Sequence, residues 1–108
     1  MIEKTYDYSL EDSKKVEKTI NDDAAMINHM VFPMGQGLPE HYSNSNVYMI
    51  VVRGCLTLQL EEQEPHKYDK GKIINIPFHT KMSVNNKDEE VLEIFVIKSP
   101  NPRIYKED

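Results

Sequence analysis

The segment GQGLPEHYSNSNVYMIVVRG, residues 35–54, decides the fold. Gly35, Gly37 and Pro39 force a sharp turn. A single histidine, His41, follows, and residues 47–52 are then unbroken in their apolar character, as in a strand buried on both faces. Arg53-Gly54 turns the chain into residues 55–60. There Leu56, Leu58 and Leu60 alternate with Cys55, Thr57 and Gln59, the period of two expected of a pleated strand.

The same period extends outward in both directions. In residues 24–32, Ile27, His29 and Val31 share one face and Met26, Asn28, Met30 and Phe32 the other, and Pro33 closes the strand. Residues 14–20 alternate weakly, and Tyr6, Tyr8 and Leu10 suggest a further short strand, with a helical turn at Ser9–Asp12 as the alternative. On the C-terminal side the strands are residues 66–68, 72–76, 82–85 and 91–97, separated by turns at 61–65, 69–71, 77–81 and 86–90. Residues 99–108 form a polar tail. No helical period persists over ten residues. Short strands with turn signals about every ten residues predict an all-β sandwich or barrel, one domain over residues 1–108.

Charge and composition exclude several function classes. The net charge is −5, with thirteen basic residues scattered among eighteen acidic ones, so neither a nucleic-acid backbone nor an anionic membrane surface is an expected partner. The apolar runs are six or seven residues, far short of a membrane span. One cysteine, Cys55, forms no disulfide within the chain, and no secretory signal opens the sequence. A cytoplasmic protein is the expectation.

Two stretches resemble the motifs of the cupin family. The first motif reads Gly, five residues, His, one, His, three or four, Glu, six, Gly. In residues 35–54 this aligns Gly35, His41, Ser43, Val47 and Gly54. The second reads Gly, five residues, Pro, one, Gly, two, His, three, Asn. In residues 71–86 it aligns Gly71, Pro77, His79, Met82 and Asn86. The turn residues are kept, and three of the four metal ligands are replaced. The resemblance implies a jelly-roll β-barrel of two antiparallel sheets (a double-stranded β-helix), a central cavity and a homodimer.

The family's metal is held by three His and one Glu, and those positions here carry His41, Ser43, Val47 and Met82. A lone imidazole does not chelate, a serine hydroxyl ligates poorly near neutral pH, valine has no donor and a thioether suits only soft ions. No metal cofactor is therefore expected. The alternative is a divalent transition metal at a rebuilt site of His41, His29 and His79. His29 also fits a packed imidazole bonded to backbone, and His79 a place at the cavity rim or in solvent.

Without a metal, the expected ligand cavity is lined by His41, Ser43, Val47, Met49, Met82, Val84 and His29. Such a cavity is apolar with a few converging polar groups, as small-molecule sites are. Methionines that simply fill the barrel fit the composition equally well. Three functions follow: a metal-free barrel that binds a small molecule, a metal-dependent isomerase, epimerase or dioxygenase, or a solid module whose surface meets a partner.

Overall fold

Alternating apolar and polar residues become strands wherever one face can be buried. The computed structural model describes residues 1–105 and contains nine strands among them. These are β1 (Lys15–Asn21), β2 (Met26–Phe32), β3 (His41–Tyr42), β4 (Val47–Arg53), β5 (Cys55–Leu60), β6 (His66–Asp69), β7 (Ile73–Ile76), β8 (Lys81–Asn85) and β9 (Leu92–Lys98), followed by a 3-10 helix at Pro102–Tyr105. Residues 106–108 of the polar tail lie outside the described residues.

All strand pairs are antiparallel. One sheet has five strands in the order β1-β2-β9-β4-β7, and the other four in the order β3-β8-β5-β6. Most neighbours in space are thus distant in sequence, the winding expected of a jelly-roll barrel. Among the described residues no helix is long and apolar enough to cross a membrane.

The core lies between the sheets. Met30 and Phe32 of β2, Val47, Met49 and Val51 of β4, Leu56 and Leu58 of β5, Met82 and Val84 of β8 and Leu92, Ile94 and Val96 of β9 are all buried there. Turns fix the register. Gly54, between β4 and β5, has φ of +80°, and a Cβ at this position would be driven into the carbonyl oxygen of Val91. Glycine alone meets both demands. Asn86 is fully buried and holds the turn before β9: its Nδ2 donates to the carbonyls of Phe32 and Glu90, each at 2.8 Å, and its Oδ1 accepts from the Asp88 N–H at 2.9 Å.

Two expectations are corrected. Residues 1–14 are neither strand nor helical turn, although Tyr6, Tyr8 and Leu10 alternate. Tyr8 instead lays its ring on the outer face of the five-stranded sheet, 4.8 Å from His29 and 5.0 Å from Phe95 between centroids. This segment is spent on its own sheet, with the Ser9 N–H donating to Glu17 Oε1 at 2.8 Å.

His29 does not face the barrel interior. Met30 and Phe32 point inward, so His29 and Val31 of the same strand point outward. His29 is nonetheless fully buried, because Tyr8 and Phe95 cover it. Its Nδ1 lies 2.7 Å from Glu17 Oε1 and its Nε2 2.6 Å from Glu93 Oε2, so its partners are side chains rather than backbone.

The short strand β3 has two residues, His41 opposite Met82 and Tyr42 opposite Lys81. Two residues carry no readable period.

Candidate functional site

The site is built where β3 meets β8. The loop from Gly35 to Glu40 delivers His41, which stands opposite Met82, so the histidine of the first aligned stretch and the replaced histidine of the second are cross-strand partners. Ser43 follows at the end of β3, and Val47 and Met49 enter from β4. A cavity of about 30 Å³ remains between them, lined by His41, Ser43, Val47, Met49 and Met82, with Met30, Val96 and Lys98 opposite. Water needs about 10–15 Å³ of such volume, so this space holds one or two waters and no metabolite. Met30, Met49 and Met82, at most 5 % exposed, fill the rest of the barrel.

Five of the seven expected cavity residues thus come together. Val84 is buried deeper in the core and does not line the cavity. His29 lies on the outer face, as does Phe95.

The polar groups are committed in different ways. His41 is exposed, and its Nδ1 is 2.8 Å from the carbonyl oxygen of Pro39, which can only accept. Nδ1 therefore carries the hydrogen, and in the neutral ring Nε2 keeps its lone pair. Ser43 is not the partner of His41. Its hydroxyl donates to the Pro77 carbonyl at 2.6 Å and accepts from the Thr80 N–H at 2.8 Å, stapling β3 to the turn before β8. That turn contains His79, exposed, at φ of +64° and stacked on Phe78 with centroids 3.9 Å apart. His41, His29 and His79 consequently sit in three separate places. Among the described residues no three His, Cys, Asp or Glu side chains converge as a metal site would require.

Met30, Leu38, Asn44, Val96 and Lys98 line the site beyond the residues expected, and Lys98 is the charged one among them. Leu92, Ile94 and Val96 of β9 point inward, and the same parity carries Lys98 to the inner face at the barrel's end. A lysine on the buried register of an apolar strand was the available signal. Burial pushes its ammonium below the usual lysine range, and the nearby charge of Lys18 adds to this. Lys98 and Asn44 line both the small cavity and an open depression of about 390 Å³ beyond it, bounded by β1, β2 and the C-terminal 3-10 helix.

Cys55 lies on the outer side of β5, opposite Asp69 of β6. Burial and the carboxylates of Asp69 and Asp88 raise its pKa, so it is not an activated nucleophile.

Comparison with known proteins agrees with this architecture. The chain is 46 % identical over 104 residues to an uncharacterized protein of Methanocaldococcus jannaschii, covering 95 % of this chain and 90 % of that protein. A crystal structure from the same organism, described as an RmlC-like cupin family protein with a double-stranded β-helix fold, matches with a TM-score of 0.93 at 45 % identity, over 97 % of both chains. The chain belongs to the cupin family. A cupin-like protein of Thermotoga maritima shares the fold alone, with a TM-score of 0.77 at 19 % identity over 87 % of this chain and 81 % of that one. No protein-family model matches the chain.

The cupin metal does not fit the donors present. At the four ligand positions, His41 offers one nitrogen, the Ser43 hydroxyl already has two protein partners, Val47 offers nothing and Met82 a thioether. No step of a metal-dependent reaction can be built on this set.

Proposed function

We propose that this cupin is a metal-free small-molecule-binding protein whose ligand sits at the mouth of the barrel rather than at its centre. The observation that carries the reading is the donor set around His41. It lacks the chelating groups of the family, yet it keeps one exposed imidazole beside a lysine on the inner face. The barrel centre is filled by methionine, and the larger space lies outside it, joined to the small cavity at His41 through the shared lining residues Lys98 and Asn44. An exposed imidazole with a free Nε2 supplies one directed hydrogen bond.

No second side chain orients His41 for acid–base work; its Nδ1 partner is a backbone carbonyl. Binding is therefore favoured over catalysis. Thermal-shift screening of the protein against a metabolite panel tests the reading, since a ligand bound at a hundred times its Kd stabilises by about 2.7 kcal/mol. At least one compound is expected to raise the melting temperature of wild type, with the shift abolished in His41→Ala. A shift that survives His41→Ala unchanged would contradict the placement.

A further inference from the structure

The depression beyond Lys98 carries a charge pattern opposite in sign to the chain as a whole. The chain as a whole has a net charge of −5. The lining of the depression nevertheless contains Lys18, Lys98 and Arg103 and no carboxylate. Arg103 is engaged by Asp23, whose Oδ1 lies 2.9 Å from its Nε and 2.7 Å from a terminal nitrogen. Lys18 and Lys98 form no ion pair among the described residues.

Two like charges held on one concave face are mutually unfavourable, and burial of Lys98 worsens this. Asn28 stands opposite Lys18 in the β1–β2 pairing and lines the same space. It is 5 % exposed, and its Oδ1 has no hydrogen-bond partner. That oxygen is an acceptor, so it calls for a donor such as a ligand hydroxyl or a lysine ammonium and not for the acid group itself. The wall opposite is fixed: buried Asn101 anchors the C-terminal turn through Nδ2 bonds to the Asp22 carbonyl and to Asn21 Oδ1.

We propose that this depression is an anion site, taking a small molecule with a phosphate or carboxylate group between Lys18 and Lys98. The volume of about 390 Å³ lies in the range of small-molecule sites. Lysine acts there as a point charge and accepts either acid group. Because Lys98 and Asn44 also line the cavity at His41, the acid group binds on the lysine side and the remainder of the ligand reaches the barrel mouth. The inference rests on the mouth-binding reading above and names its ligand class.

The test is a titration of the full chain with inorganic phosphate, succinate, glucose 6-phosphate and glucose at constant ionic strength, followed by amide NMR shifts. Wild type is compared with Lys98→Met, Lys18→Met and, as a control distant from the depression, Lys72→Met. At least one anion is expected to give saturable shifts around residues 18, 28 and 98. Affinity should fall at least tenfold in Lys98→Met and Lys18→Met and stay unchanged in Lys72→Met. Lys98→Met removes a half-buried charge, so without anion it should melt no lower than wild type. Absence of saturable shifts with any anion, or wild-type affinity in either site variant, overturns the proposal. If glucose binds as well as the anions and ignores Lys98→Met, the anion class is wrong while binding at the mouth stands. Lysine-dependent anion binding that is unchanged in His41→Ala supports the anion site and contradicts the mouth reading.

Discussion

His29→Ala is expected to destabilise the protein by about 3 kcal/mol, a fall in melting temperature of more than about 10 °C. The His29 ring lies between Glu17 and Glu93, 2.7 Å and 2.6 Å from their carboxyl oxygens, and acts as a clamp between β1 and β9. Removing it leaves two carboxylates facing a void between Tyr8 and Phe95. The Glu93 side chain is 17 % exposed and that of Glu17 33 %, so water softens the loss, which is why the lower end of the usual range applies. Arg53 gives Glu93 partial relief: its Nε is 3.3 Å from Oε1, close enough for attraction but not aligned as a hydrogen bond. The same arginine holds Asp12 at 2.8 Å, so the cluster also fastens the N-terminal segment. Urea unfolding measures the effect, and a loss below about 1 kcal/mol would show that the clamp is not structural.

Acid should weaken the same cluster. The Ser9 N–H, then the His29 ring, hold the Glu17 carboxyl below its ordinary value of 4.5. A carboxyl whose pKa is depressed by folding contributes stability above its unfolded value and loses it as pH falls through the folded one. Wild type should therefore lose stability below about pH 4.5, and Glu17→Gln should show a flatter profile in that window.

Asn86→Ala should cost about as much, roughly 3 kcal/mol, because it orphans several backbone groups at once. The Phe32 carbonyl loses its Asn86 donor in the interior, the Glu90 carbonyl loses another and the Asp88 N–H loses its acceptor. Asn86→Asp tests the mechanism: it keeps an acceptor for Asp88, but its carboxylate has no hydrogen for either carbonyl and would be buried against both, so it should recover none of the loss. A urea midpoint unchanged by Asn86→Ala would contradict this account.

Asn86 also explains what was legible in the sequence. The aligned cupin positions that survive, Gly54 and Asn86 among them, are those on which the backbone depends: Gly54 has a positive φ against Val91, and Asn86 ties three backbone groups. They persist although Ser43, Val47 and Met82 stand at three of the four metal-ligand positions, and that separation let the barrel be read while its contents stayed open. Strands β2, β4, β5 and β9 were legible because burial imposes a period of two.

What escaped depended on which face turned inward. In residues 24–32 both sets of alternating residues are largely apolar, so periodicity could not decide whether His29 or Met30 met the core. The answer came from Tyr8, twenty-one positions earlier, which roofs the outer face. Lys98 could have been found by extending the parity of Leu92, Ile94 and Val96, but a charged residue at a strand end reads first as solvent-exposed. The pairing of His41 with Met82 spans the four intervening strands β4 to β7, beyond any local pattern.

The most direct test of the proposed metal-free reading is the metal content of the full chain, purified without chelators or an affinity metal after growth in medium supplemented with manganese, iron, nickel and zinc. With His41, Ser43, Val47 and Met82 at the ligand positions, elemental analysis is expected to find well below one transition-metal ion per ten chains, a threshold about tenfold under the single ion of a typical metal site. A single metal near one ion per chain, lost in His41→Ala, would contradict the account.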